Sequence, residues 1–184
     1  ELIEIMRRVE VDPYSYPKKR NIKIAIAYDQ AFFFYYKENL DLLENICQVE
    51  YFSPLKDKDL PQCDLVYIGG GYPELYKEGL AENQPMIRSI RNMAENYGFI
   101  YGEAGGLMYL ADSSEGYPMC GILDGRGSIS NRLDRFGYTQ MELRKDNILG
   151  HKGDIIYGQE FHKSRIDLEG DIYNISKPKS KRKW

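Results

Sequence analysis

The chain has 184 residues, of which 42% are hydrophobic and 29% charged, and its net charge is −3. This size and composition predict one globular domain with tails. The charge excludes an overall basic field for nucleic acid or an anionic membrane, and no apolar run is long enough to span a bilayer. We therefore expect a cytoplasmic protein with no nucleic-acid or membrane partner.

The two ends of the chain differ in composition from its middle. Residues 1–20 combine a short amphipathic segment with two prolines and a basic cluster, as in an interdomain linker. The start lacks Met and falls within a helical pattern, so we expect a fragment cut from a longer protein. The basic end, residues 171–184, is expected to be disordered, which leaves the folded domain at residues 21–170.

Strand patterns and helical patterns alternate through the first 110 residues. Strands are predicted in NIKIAIAY, QVEYFSP, DLVYI and FIYG, and helices in AFFFYYKENLDLLENIC, PELYKEGLAEN and the segment from Gln84 to Tyr97. This order predicts an α/β fold with a mostly parallel sheet flanked by helices. Additional strands, some of them antiparallel, are expected in the C-terminal half, at Met119–Leu123, Gly127–Asn131, Tyr138–Leu143 and Ile155–Phe161.

The segment YGEAGGLMYL, Tyr101 to Leu110, predicts a strand, a tight elbow and a helix start. In α/β proteins such an elbow holds a side chain above the end of the sheet, beside the free N–H groups of the new helix. The residue at the apex should be a nucleophile. Here it is Ala104, which has no reactive group.

Two further features could belong to the same site. Three glycines, Gly69 to Gly71, follow a predicted strand, so their N–H groups could stabilise negative charge, although such turns are equally often simple connections. His162 ends an apolar strand pattern, where an imidazole could act as a general base or have a structural role. His151 lies in a predicted surface turn.

Other reactive residue types predict no site. The three cysteines, Cys47, Cys63 and Cys120, are widely spaced in apolar or strand-like segments, which predicts reduced structural thiols. The carboxylates between positions 57 and 64 lie in a polar loop and are expected to be solvated, without a metal. The glycine turns match neither a P-loop nor a dinucleotide-binding pattern, so no nucleotide is expected in this domain.

Taken together, the motifs resemble a known family. The segments AIAYDQAFFFYY, YFSPLKDKDLP, IGGGYPELY, YGEAGGLMYL, RLDRFGY and GQEFHKS occur in the order and spacing of the C-terminal glutaminase domain of cobyrinate a,c-diamide synthases. The resemblance covers Asn21 to Leu168. It implies a class I glutamine amidotransferase with a flavodoxin-like core, which supplies ammonia to a separate N-terminal domain. In that family this other domain uses ATP and Mg²⁺ to amidate acetate side chains of the corrin ring.

The resemblance also implies roles for particular residues. The family's catalytic Cys falls at Ala104 and its catalytic His at His162. The N–H groups of Gly71 and Gly105 are then the oxyanion hole, and Gly70 and Tyr72 lie near the bound glutamine. No metal and no cofactor are expected in this domain.

Two positions, 104 and 159, depart from the family's pattern, and position 164 differs from many other class I enzymes. Ala104 cannot form a thioester, so we expect the chain to bind glutamine without hydrolysing it at a useful rate. Gln159 replaces a His that is common at this position. Ser164 stands where many class I enzymes have Glu, and the cobalamin-type branch lacks this acid too.

Several alternatives stay open from the sequence. Ala104 is either a deliberate replacement or a natural loss of activity. The amidated ring is either cobyrinate, hydrogenobyrinate or nickel sirohydrochlorin. The domain could also be a non-catalytic module that binds glutamine or docks onto a synthetase. Finally, the aromatic run Phe32–Tyr36 fits either an interface through which ammonia passes or the buried start of a helix.

Overall fold

The computed structural model describes residues 18–168 and 170–178. Its central parallel sheet contains β1 (Lys23–Ala27), β3 (Gln48–Phe52), β4 (Leu65–Ile68) and β6 (Phe99–Gly102). Across the sheet the order is β3, β1, β4, β6, and all three pairings are parallel. Counted along the chain this is order 2-1-3-4, that of flavodoxin-like folds, whose ligands bind beyond the carboxyl ends of the strands. The predicted fold class is confirmed.

Short helices connect these strands. They are α1 (Lys37–Ile46), α2 (Lys77–Glu82), α3 (Gln84–Glu95) and α4 (Gly105–Leu110), with a 3₁₀ turn at Pro73–Tyr76 before α2. Helix α3 buries Met86, Ile87 and Ile90 on one side, as its apolar spacing predicts. The predicted helix extended to Tyr97, which is wrong: Tyr97 adopts a left-handed φ of 60° beyond the helix end and is 94% exposed.

The aromatic run Phe32–Tyr36 does not form the buried start of a helix, which was one of its two expected roles. Phe32–Phe34 forms strand β2, which pairs antiparallel with β5 (Gly70–Gly71). The side chain of Asp29 accepts hydrogen bonds from the N–H groups of Ala31 and Phe32, at 2.8 and 3.2 Å. This turn redirects the chain into an extended segment, so helix α1 begins only at Lys37.

The C-terminal half contains additional strands, as predicted, and they form two more sheets. One contains β7 (Ala111–Ser114), β8 (Tyr117–Pro118), β9 (Leu123–Ile129) and β12 (Ser164–Ile166), with β7 and β9 parallel. The other is antiparallel and contains β10 (Arg135–Leu143), β11 (Ile155–His162) and β13 (Tyr173–Ser176). The strand expected at Met119–Leu123 is wrong over most of its length, because Gly121 turns the chain with a φ of 61° and β9 starts at Leu123.

Strand β13 corrects the predicted domain boundary. Tyr173–Ser176 pairs with β10 over Gln140 to Leu143, so the fold continues past residue 170 and this part of the expected tail is ordered. The alternating Tyr, Asn, Ile and Ser of this segment can pair with a strand although the residues that follow are basic. The predicted linker up to residue 17 and the end of the tail, 179–184, lie outside the described residues.

The main core lies between the parallel sheet and helices α2, α3 and α4. Its buried side chains include Phe32, Phe52, Val66, Ile68, Leu80, Met86, Ile87, Ile90 and Tyr109. Cys47, Cys63 and Cys120 are free thiols, as predicted. Burial raises the pKa of the Cys120 thiol to about 12, so it stays protonated at neutral pH. Within the described ranges, no helix is long and apolar enough to cross a membrane.

Candidate active site

The predicted elbow is present between β6 and α4. Ala104 is the residue before the helix and has φ 49° and ψ −110°. A positive φ is uncommon for a residue with a Cβ and costs free energy, so it persists only where the surroundings impose it. The backbone at position 104 therefore has the strained conformation expected at the apex of a nucleophile elbow.

Close packing on strand β4 imposes this conformation. The Gly106 N–H donates to the carbonyl oxygens of Gly69 and Glu103, each at 2.9 Å. A Cβ on Gly106 would lie only 2.0 Å from the carbonyl oxygen of Ile68. Glycine at 106 therefore lets the elbow approach the sheet this closely.

The residue before the apex is also fixed. The N–H of Glu103 donates to the Ile68 carbonyl at 3.0 Å. Its carboxylate accepts hydrogen bonds from the hydroxyls of Tyr67 at 2.5 Å and Tyr101 at 3.2 Å. Burial, together with the charge of Glu103, raises the pKa of Tyr101 to about 12. The pKa of Tyr67 is raised even more, mainly by burial and next by its hydrogen bond to Glu103. Both phenols are therefore donors at neutral pH.

The three glycines after β4 have different environments. The Gly69 N–H donates to the hydroxyl of Tyr35 at 2.8 Å, and a Cβ on Gly69 would lie 2.4 Å from that ring, so this glycine packs rather than binds. The Tyr72 N–H donates to the Ala31 carbonyl at 3.1 Å. Successive N–H groups of an extended strand point to opposite sides, so the Gly71 N–H points away from β2.

Four of the predicted site residues lie together at this edge of the sheet. A Cβ on Gly105 would lie 3.3 Å from the nitrogen of Gly71, and a Cβ on Gly70 would lie 3.6 Å from the Cβ of Ala104. The N–H of Gly105 is in the first turn of α4, where helical N–H groups have no acceptor within the helix. Gly70, Gly71, Ala104 and Gly105 thus lie close together, while the role of the Gly71 and Gly105 N–H groups as an oxyanion hole stays a prediction.

Aromatic side chains border this space. The ring of Tyr72 lies 6.1 Å from that of Phe33 and 5.1 Å from that of Phe34, measured between centroids. All three rings are 40–48% exposed, and the nearby Leu75 is 71% exposed. Phe34 also touches the site itself, since its Cβ lies 3.3 Å from where a Cβ on Gly70 would be. We call Phe33, Phe34 and Tyr72 the aromatic rim.

His162 lies at the end of β11. Its Nδ1 is 2.8 Å from the carbonyl oxygen of Ser164, and its Nε2 is 3.8 Å from Oε1 of Glu160. The His162 side chain thus contacts Ser164 and Glu160, and it interacts electrostatically with Asp134. In the described part of the chain, none of these interactions joins His162 to Ala104. Its pairing with position 104 therefore stays a prediction.

The other histidine is on the surface, as predicted. The His151 side chain is 87% exposed, and its Nδ1 lies 3.6 Å from Asp146 in the turn before β11. Gln159 points to the opposite face of β11 from His162, because alternate residues of this strand point to opposite sides. Sequence reasoning did not identify Glu160, although its position two residues before His162 on one strand predicts a shared face.

No other described feature competes for the chemistry. A groove of about 480 Å³ opens beyond the ends of β1 and β3, and none of the predicted site residues lines it. Asp29, at its edge, is fully engaged, since it also accepts hydrogen bonds from the Ser53 hydroxyl and the Leu55 N–H. Among the residues with described positions, no cluster of three His, Cys, Asp or Glu side chains could hold a metal ion.

Comparison with known proteins places this geometry in a family. Residues 23–183 match the model of the CobB/CobQ-like glutamine amidotransferase domain. The chain belongs to this family. The resemblance inferred from the motifs is thereby confirmed, while the identity of the residue that relatives carry at position 104 stays a prediction.

Curated relatives of this family member are named cobyrinate a,c-diamide synthase. The protein from Clostridium acetobutylicum is 48% identical over 162 residues, which cover 87% of this chain and 37% of the relative. The protein from Clostridium tetani is 42% identical, with 96% of this chain and 42% of the relative covered. The family member thus spans about two fifths of the length of these relatives.

Solved structures agree on the fold of this family member. The structure of PurLQS from Thermotoga maritima aligns with a TM-score of 0.63 at 16% identity, over 86% of this chain and 76% of the other. A crystal structure described as a glutamine amidotransferase aligns with a TM-score of 0.56 at 17% identity, over 82% and 79% of the two chains. At such identities the likeness concerns the fold alone.

Proposed function

We propose that the chain is the glutaminase domain of a cobyrinate a,c-diamide synthase, which supplies ammonia for the ATP-dependent amidation of corrin acetate side chains in cobalamin biosynthesis. The observation that carries this proposal is the strained elbow at Ala104, which lies beside Gly70 and Gly71, in a member of the amidotransferase family. The names of the relatives support cobyrinate over the other two rings.

The site would act as follows when a cysteine occupies position 104. Nε2 of His162 accepts the thiol proton, and the sulfur attacks the side-chain amide carbon of glutamine. The carbonyl oxygen gains negative charge beside the N–H groups of Gly71 and Gly105. The C–N bond then breaks as His162 returns a proton to the departing ammonia. Water hydrolyses the thioester, which releases glutamate and restores the thiol.

Alanine at position 104 would stop this reaction before its first covalent step. A methyl group has neither a proton to give nor a lone pair for attack, whereas the surrounding donors are backbone groups that do not depend on the side chain. The chain should therefore bind glutamine and leave it intact. This observation also favours a second candidate function, a non-catalytic module that holds glutamine or docks onto a synthetase.

Ammonia made at this site needs an acceptor. We infer that ATP, Mg²⁺ and the corrinoid bind to a synthetase domain within the part of the relatives that this chain does not span. The exposed aromatic rim borders the site and could pack against that domain, which would exclude water from the path of ammonia. A cytoplasmic location fits this proposal.

Replacement of Ala104 by Cys tests the proposal. With the ATP-dependent domain supplied, Ala104→Cys should convert glutamine to glutamate, measured as glutamate release, while the parent chain should bind glutamine in calorimetry without turnover. Adding His162→Asn to the Ala104→Cys chain should lower the rate by about 100-fold or more, because a general base is lost. A folded Ala104→Cys protein that binds glutamine without releasing glutamate would instead support the non-catalytic module.

A further inference from the structure

A half-buried carboxylate, that of Glu160, lies beside the predicted general base. Glu160 and His162 are two residues apart on β11 and point to the same, inner face of the strand. Their side chains are 22% and 29% exposed, whereas Phe161 between them is 66% exposed on the outer face. The strand thus brings an acid and an imidazole together away from bulk solvent.

The hydrogen bond to Ser164 sets the protonation pattern of the ring. A carbonyl oxygen can only accept, so Nδ1 of His162 carries the proton in the contact with the Ser164 oxygen. In a neutral ring, Nε2 is then the basic nitrogen. Position 164, where many class I enzymes have an acid, therefore contributes a backbone oxygen to His162.

The basic nitrogen faces Glu160. Nε2 of His162 lies 3.8 Å from Oε1 of Glu160. The other carboxylate oxygen, Oε2, is buried and has no hydrogen-bond partner among the described residues. A buried carboxylate without other partners attracts a positive charge that forms beside it.

Other charged groups near His162 do not take this role. Asp134 influences His162 electrostatically, but its carboxylate is paired with Arg165. Arg135 is opposite His162 in the β10–β11 register and is positively charged, so it cannot balance a positive charge on the ring. Glu160 is therefore the carboxylate placed to balance a proton on Nε2.

We propose that Glu160 is the positioning residue for His162 and acts at Nε2, the nitrogen that accepts the proton. This inference rests on the proposed function. When Nε2 accepts the proton of a thiol at position 104, the imidazolium lies between the Ser164 carbonyl and the Glu160 carboxylate. The pair of thiolate and imidazolium is thereby favoured over the neutral pair.

Alkylation of a thiol introduced at position 104 tests this role. In the Ala104→Cys chain at pH 7, iodoacetamide should modify the introduced thiol at least about tenfold faster than Cys63, read by mass spectrometry of the peptides. Adding Glu160→Gln should slow alkylation of the introduced thiol by about tenfold, and Glu160→Asp should restore part of the rate, because the charge is kept. Glu142→Gln is the matched control, since it removes an exposed carboxylate from the outer face of β10.

A second measurement does not need the thiol. In the parent chain, with Ala104, Glu160→Gln should lower the ratio of protonated to neutral His162 severalfold at pH 6.5, read from imidazole nitrogen NMR shifts. His151 is the only other histidine and serves as the internal reference. If this ratio and the alkylation rate at position 104 are both unchanged by Glu160→Gln, the role of Glu160 is refuted. An introduced thiol that reacts slowly while the His162 ratio still falls would instead contradict the proposed glutaminase function.

Discussion

Single residues determine whether the elbow can form and whether it can react. Gly106 determines the first, because its lack of a Cβ lets the turn approach within contact of the Ile68 carbonyl. Residue 104 determines the second, because its side chain is the one at the apex of the elbow and projects beside Gly70. Folding and chemistry thus depend on different positions of one short segment.

Substitution of Gly106 should disrupt the fold. A Cβ there would lie 2.0 Å from a backbone oxygen of the central sheet, which cannot move as a flexible side chain can. We expect Gly106→Ala to lower the free energy of unfolding by about 3 kcal/mol or more, measured by urea denaturation. Gly170→Ala is the control, since no atom lies within 4 Å of its Cβ position, and should change stability by less than about 0.5 kcal/mol. Equal stability of the two variants would contradict the described packing of the elbow.

The apex could be identified from sequence at this scale, and Glu160 could not. The run of small residues after an apolar strand indicates an elbow, and a family motif gives a role to position 104. The significance of Glu160 depends on the side of β11 that faces inward, and the sequence IIYGQEFH is apolar on both sides. The alternation of buried and exposed residues became visible only in the folded sheet.

At the scale of elements, a row of three tyrosines supports the elbow, and two of them lie in β4 and β6. The rings of Tyr35, Tyr67 and Tyr101 follow one another at centroid separations of 5.2 and 5.3 Å. The hydroxyls of the last two hold the Glu103 carboxylate directly before Ala104. The sheet therefore contributes hydrogen bonds as well as apolar contacts to the position of the apex.

This tyrosine row predicts a loss of stability at high pH. Burial raises the pKa of Tyr101 from 10.0 to about 12, so the unfolded chain releases this proton before the folded chain does. Stability from this group is complete below pH 10 and is lost as the pH rises from 10 to about 12. Tyr101→Phe should therefore reduce the slope of unfolding free energy against pH in this window by up to about 1.4 kcal/mol per pH unit.

Urea denaturation at pH 7, 10 and 11.5 would measure that slope. Tyr138→Phe is a matched control, because Tyr138 is 75% exposed and its phenol is in solvent in the folded protein. If Tyr101→Phe and Tyr138→Phe give the same pH dependence, the Tyr101 hydroxyl is not buried against Glu103.

The parallel elements could be predicted from sequence more fully than the others. Strands β1, β3, β4 and β6 are apolar or alternating and end at turn residues, so their pattern is local. Strands β2 and β13 depend on partners far along the chain, the glycine strand β5 and the edge of β10. Their segments have no strong pattern of their own, which is why one was expected to start a helix and the other to be disordered.

At the scale of the whole molecule, two exposed apolar surfaces differ in their relation to the site. The aromatic rim borders the elbow. The second surface is the outer face of β10 and β11, where Phe136, Tyr138, Tyr157 and Phe161 are each 62–75% exposed. The Phe136 and Phe161 rings contact each other edge to face at 5.8 Å, on the side of the strands opposite His162.

The outer face of β10 and β11 should contribute little to folding. Because Tyr138 and Phe161 remain mostly in solvent, the double substitution Tyr138→Ser and Phe161→Ser should change the free energy of unfolding by less than about 1 kcal/mol. It should also reduce binding of a dye that reports exposed apolar surface. Ile90→Ala in the core of α3 is the contrasting variant and should cost about 2–5 kcal/mol. A comparable loss in the double variant would show that other parts of the chain cover this face.

The strained backbone at Ala104 has a consequence for how such a domain can change through evolution. The turn is imposed by Gly106, Glu103 and strand β4, so it forms here although residue 104 has no thiol. A lineage can therefore lose or regain its nucleophile by substitution at a single position, without passing through an unfolded intermediate. Selection on reactivity and selection on stability then act on separate residues.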